Sequence, residues 1–156
     1  MNLVTLRLAA LSLLLAAGAC FAVDVATPAN DKLTAARSRI AEKNWPAAID
    51  ELKKVEDPAS ADWNNLMGYS LRKADPGANA EAAEKFYDAA LRIEPRHRGA
   101  LEYSGELYLM TGKLAQAEER LATLDKACLF SCEEYRDLKR AVERYKAAGN
   151  KYVPSP

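Results

Sequence analysis

From Asp31 onward, apolar side chains recur at three- and four-residue intervals, the spacing that lines one face of an α-helix. Leu33, Ala36, Ile40 and Ala41 form one such face in a run from Asp31 to Lys43, which Asn44-Trp45-Pro46 breaks. Ala48, Ile49, Leu52 and Val55 form the next, from Ala47 to about Glu56, and Asp57-Pro58 ends it. The spacing predicts further helices over Ser60–Lys73, Ala80–Ile93, Arg98–Met110, Lys113–Ala127 and Cys132–Ala148. The loop between the first two of these, residues 74–79, is set by its Asp-Pro-Gly-Ala-Asn composition. Seven helices with short connections and no alternating strand pattern predict an all-α array of antiparallel hairpins.

The helices repeat. Ala83 and Ala117 lie 34 residues apart, as do Tyr87 and Leu121, and Ala90 and Leu124. Gly68 and Gly105 are equivalent in the preceding helices, at a spacing of 37 because the loop after Ala74 holds extra residues. A glycine inside a helix costs about 1 kcal/mol relative to alanine. The expected compensation is close packing: Gly105 and Ala117 are small where the two helices of one hairpin cross. Gly112 has another role, ending a helix in a left-handed cap.

With Leu101, Gly105, Tyr108, Gly112, Ala117 and Leu121 in one copy, and Gly68, Leu71, Ala83, Tyr87, Ala90 and Pro95 in another, the chain resembles the tetratricopeptide repeat (TPR) family. An earlier copy is worn, keeping Ala48, Leu52 and Val55, with an arginine where the tyrosine belongs. The resemblance implies a TPR-type α-hairpin solenoid with repeats at about 31–59, 60–95 and 96–128 and a capping helix at 132–148. It also implies a concave groove, lined by the first helix of each hairpin, that holds an extended peptide or protein segment. In register with the repeat, the groove positions are Asp62, Asn65, Tyr69, Arg72, Glu102, Glu106 and Leu109. Their mixed chemistry suits backbone hydrogen bonds and one basic or aromatic anchor.

A stacked array leaves its last apolar face open, and a terminal helix covers it. Tyr135, Leu138, Val142 and Tyr145 supply the stripe for that role, while Arg136, Lys139, Arg140 and Glu143 are expected to face water. Ser131, with Glu134 three residues on, reads as a capping box. Of the three cysteines Cys20 leaves with an N-terminal signal, so the mature chain keeps two, Cys128 and Cys132. These bracket the preceding turn, and an even count in an exported chain points to a disulfide. A reactive redox pair and a soft-metal site for copper or zinc are the alternatives. The run Cys-x-x-x-Cys-Glu-x-Tyr after the last repeat is similar to that of small exported bacterial TPR proteins, which implies a periplasmic location.

The N-terminus agrees with export. Arg7 precedes an apolar run from Leu8 to Ala17, and small residues follow, so residues 1–22 read as a signal peptide. Cleavage after Ala19 and cleavage after Ala22 both fit. Cys20 after Ala17-Gly18-Ala19 partly matches a lipoprotein signal, so anchoring at Cys20 is the alternative. Residues 23–30 read as a linker and 149–156 as a disordered tail; no stretch after Ala22 is apolar enough for a transmembrane helix. The whole chain balances 22 basic against 22 acidic residues, and loss of the signal removes only Arg7, leaving a charge near −1. Nucleic acid and anionic membrane are poor partners for that balance.

Arg92, Arg96, His97 and Arg98 around Pro95 read either as an acidic-ligand contact or as a solvated turn, and the paired acids Glu118-Glu119 and Glu133-Glu134 as surface charge. No nucleophile–base pair, phosphate loop or dinucleotide motif occurs, so neither catalytic nor metal residues nor a cofactor is assigned. The expected function is therefore a non-enzymatic periplasmic adaptor for a cell-envelope protein, with weak self-association through the worn first repeat. A thiol redox or copper-handling protein acting through Cys128 and Cys132 is the rival.

Overall fold

The computed structural model describes residues 31–154, so the signal peptide, the linker at 23–30, the Cys20 anchor and the last two residues of the tail lie outside the described residues. Among those residues there are seven helices and no strand: α1 (Thr34–Ala41), α2 (Trp45–Val55), α3 (Ala61–Ala74), α4 (Ala80–Ile93), α5 (Arg98–Met110), α6 (Leu114–Ala127) and α7 (Glu133–Ala147). Each packs on the next as hairpins α1/α2, α3/α4 and α5/α6, and α7 packs on both α5 and α6. α3 also touches α5, so the first helices of the hairpins form one layer. This is the all-α helical array that the periodicity predicts, of the TPR type that the resemblance implies. None of the described helices is long and apolar enough to cross a membrane.

Local chemistry sets the helix starts. The Asn44 side chain accepts from the Ala47 N–H, and Pro46 fills the first turn, so α2 begins two residues earlier than its apolar face suggests. Ser60 accepts from the Trp63 N–H at the start of α3, and the His97 Nδ1 accepts from the Ala100 N–H at the start of α5. α1 starts late, at Thr34, because Asp31 turns the chain first by accepting from the Leu33 N–H. Gly112 has φ +75° and closes α5 as a left-handed cap.

Two expectations at α7 need correction. Its N-cap is Cys132, without a side-chain cap hydrogen bond, so Ser131 stands one residue too early for a capping box. Glu133 and Glu134 in the first turn answer the helix dipole instead. The tail is not loose throughout either. Gly149 and Asn150 both take left-handed φ, the Asn150 N–H reaches back to the Tyr145 carbonyl, and the reversal lays Tyr152 against the core.

Two principal cores hold the array. Leu33, Ala36, Leu52, Trp63, Leu66 and Met67 unite α1, α2 and α3, and the Trp63 indole N–H donates to the Leu52 carbonyl at 2.8 Å. Leu101, Tyr108, Leu109, Ala117 and Leu124 join Leu138, Val142 and Tyr145 of the terminal helix in the other. The stripe predicted for α7 is thus the buried one.

The glycines divide the work differently from the expectation. A Cβ at Gly68 would stand 2.9 Å from Tyr87 Cε1 and 3.1 Å from the Ala83 carbonyl oxygen, so Gly68 does serve the α3/α4 crossing within its hairpin. At Gly105 the nearest atoms belong to Leu138 of α7, at 2.5 and 2.7 Å. Gly105 is therefore small for the capping helix rather than for Ala117, because α7 approaches α5 on the face the glycine leaves open.

Candidate binding groove

The layer formed by α3, α5 and α7 leaves a cleft of about 520 Å³. Each helix gives residues at helical spacing, and therefore one face: Tyr69, Arg72 and Lys73 from α3; Glu102, Tyr103 and Glu106 from α5; Asp137, Arg140 and Arg144 from α7. The cleft lies on the first helices of two hairpins and on the helix that stands where a further repeat would begin.

Its floor is a buried charge pair in an aromatic frame. Arg72 Nη1 lies 2.8 Å from Glu106 Oε2, and both side chains are largely withdrawn from water. The Arg72 guanidinium carbon is 5.7 Å from the ring centroids of both Tyr69 and Tyr103, which are 4.6 Å from each other. Burial alone would make Arg72 less basic, but Tyr87 and Glu106 overcome it and hold the guanidinium firmly charged. At the rim, Lys73 Nζ sits 5.9 Å from the ring centroids of Trp45 and Tyr69.

Glu102 differs from Glu106. It is 8% exposed, and no described side chain or backbone N–H bonds to its carboxylate. Burial, reinforced by the like charges of Glu106, Asp137 and Glu134, pushes its pKa up to about 8, against a smaller opposing effect of Arg72. Burial likewise pushes the Tyr103 hydroxyl up.

Of the seven positions assigned from the repeat register, Tyr69, Arg72, Glu102 and Glu106 come together in this cleft. Asp62 lies outside it, in a shallower depression with His97, Arg98 and Glu134. There Arg37 Nη2 and His97 Nε2 each approach it to 3.0 Å. Burial works against its ionisation, but the His97 hydrogen bond and the Arg37 charge outweigh that and hold its carboxyl below the ordinary range. Asn65 is buried where α3 meets α5, its amide nitrogen 3.0 Å from the position of a Cβ on Gly99. Leu109 is 1% exposed and belongs to the core beside α7, so its side chain is absent from the groove surface.

Lys73, Tyr103, Asp137, Arg140 and Arg144 line the cleft without having been assigned to it. Lys73 and Tyr103 are signalled by sequence, four residues after Tyr69 and three before Glu106, and so on the same helical faces. The α7 residues are not, because a capping helix is read as turning its polar side to water. Arg140 was placed on that side; it lines the cleft, since α7 continues the α3/α5 layer.

The basic cluster around Pro95 is engaged in the turn itself: His97 caps α5, Arg96 donates to the Lys126 carbonyl, and Arg98 lies 3.6 Å from Glu134. Cys128 and Cys132 hold their sulfurs at bonding distance across the turn before α7, and the loop between them presents Leu129 and Phe130 to solvent. Among the described residues no three His, Cys, Asp or Glu side chains cluster as a metal site.

Residues 77–142, from the loop before α4 to the last part of α7, match the sequence pattern of the tetratricopeptide repeat family. No curated protein matches the chain.

Proposed function

Because the chain is a tetratricopeptide repeat protein, a scaffold type built for protein–protein interaction, we propose that it is a non-enzymatic periplasmic adaptor. It holds an extended segment of a cell-envelope protein in the cleft between α3, α5 and α7. The observation that carries this reading is the cleft itself, where two tyrosine rings in tilted contact and fixed charges stand on successive first helices. Such a surface offers rigid aromatic contact area and oriented polar groups to an extended backbone.

The location rests on the signal-like residues 1–22, and the Cys128–Cys132 disulfide on the same export route. N-terminal sequencing of protein from the periplasm would separate cleavage after Ala19, cleavage after Ala22 and acylation at Cys20. For the groove, a photo-crosslinking side chain at Lys73 should capture a partner that the same side chain at Glu81 does not. Tyr103→Ala should abolish that capture while the helical content stays intact. Equal capture from Glu81, on an exposed face of α4, would remove the groove from the proposal.

A further inference from the structure

The bases that line the cleft are already engaged. Arg72 pairs with Glu106, Arg140 pairs with Asp137, Lys73 lies over the Trp45 and Tyr69 rings, and Arg144 has interactions of its own. Glu134 of α7, which also faces Glu102, is held by Arg98. One charged group of the cleft is left over among the described residues. Glu102 is more than nine-tenths buried, opens into the cavity, and has no hydrogen bond or ion pair.

A buried carboxyl without a partner is costly in its charged form, and a cation brought to it removes that cost. The titratable and charged groups around it from each packed element are Tyr69, Arg72 and Lys73 of α3, Tyr103 and Glu106 of α5, and Glu134, Asp137, Arg140 and Arg144 of α7. With Glu102 itself counted, bases and acids balance in that set, but each base is already engaged. The charge left without a counterpart is therefore the Glu102 carboxylate, and the vacancy beside it is positive. The Tyr69 and Tyr103 rings line the same cavity and give an alkyl stem apolar surface to lie on.

We propose that the cleft takes a lysine or arginine side chain of the bound segment, its charged end against the Glu102 carboxylate and its stem on the Tyr69 and Tyr103 rings. This rests on the groove reading and names the partner chemistry it selects. It also couples binding to a proton. In the free protein Glu102 keeps its proton up to about pH 8, and the arriving cation displaces it. Affinity should therefore rise by about tenfold per pH unit well below pH 8, less steeply as pH 8 is approached, and level off above it.

The test uses the full chain and short capped peptides: acetyl-Ala-Lys-Ala-amide, its norleucine counterpart, its glutamate counterpart, and free putrescine. Binding is read from the Tyr69 and Tyr103 ring signals by NMR. The lysine peptide should bind at least tenfold tighter than the norleucine peptide at pH 8.5 and lose most of that margin at pH 6.5. Glu102→Gln should remove the margin at both values. The Glu102 carboxyl carbon, followed directly, should titrate near pH 8 alone and well below it with the lysine peptide bound.

Equal binding of lysine and norleucine peptides through the same rings would leave the groove standing and overturn the cation anchor. Tighter binding of the glutamate peptide would overturn it as well, by showing that the cleft reads anions. Putrescine binding as tightly as the lysine peptide would assign the pocket to free amines and overturn its attribution to a protein segment. If no peptide moves either ring signal, the groove and the anchor fall together.

Discussion

Gly105 lies directly beneath Leu138: a Cβ on the glycine would come within 2.5 Å of one leucine methyl and 2.7 Å of the other. Leu138 is fully buried, so it can move away only by displacing its neighbours in a packed core. Gly105→Ala should therefore destabilise the fold by about 1–3 kcal/mol, the range for overpacking, although alanine is the better helix former. In a Leu138→Ala background the same substitution should cost less or become favourable, as the clash disappears and the propensity gain of about 1 kcal/mol remains. Urea titration of the four proteins gives the coupling between the two sites.

The Arg72–Glu106 pair makes a second prediction. Glu106→Ala strands a buried guanidinium and should cost about 3–5 kcal/mol, whereas Arg72→Met combined with Glu106→Leu should cost much less. Thermal or urea unfolding of the single and double variants tests it. For the same reason Arg72 is a poor place to probe partner binding by charge reversal.

Glu102 predicts the sign of a pH dependence. Its folded pKa, about 8, lies above its ordinary value of 4.5. Between those values the native state holds a proton that the unfolded chain has released, so stability falls as pH rises through the window and is flat beyond it. The slope contributed is on the order of 1 kcal/mol per pH unit. Glu102→Gln should flatten the profile and be the more stable protein at pH 8.5. Urea midpoints at pH 5.5, 7 and 8.5 check both statements.

If Cys128 and Cys132 are joined in the exported protein, the closed loop spans only five residues. Loop-closure entropy then limits its contribution to about 2 kcal/mol. Replacing both by serine should lower the unfolding free energy from urea titration by up to that amount and leave the protein folded, with α7 still on α5. Unfolding of the serine variant at neutral pH would show the cap depends on the bond far more than its apolar stripe implies.

Much of this was legible in the chain. Helical periodicity placed six of the seven helices within about two residues of their observed bounds, since a buried stripe at that spacing constrains side chain after side chain. Only α1 fell short at its start, where the Asp31 turn competes with the helix. The repeat register identified four of the cleft residues but also named Leu109 and Asn65, which the structure buries. Register says which face of its own helix a residue occupies; it does not say what covers that face.

The linear order of residues determined the helices, their pairing into hairpins and the left-handed stop at Gly112, because these follow from nearest neighbours and from a stripe facing the next rod. Only the packed array decided that Gly105 answers Leu138, that α7 completes the cleft, and that Glu102 is left with no opposite charge. Those relations join atoms more than thirty positions apart along the chain. Their energies depend on volume and on access to water, two quantities that exist only once the helices have closed on one another.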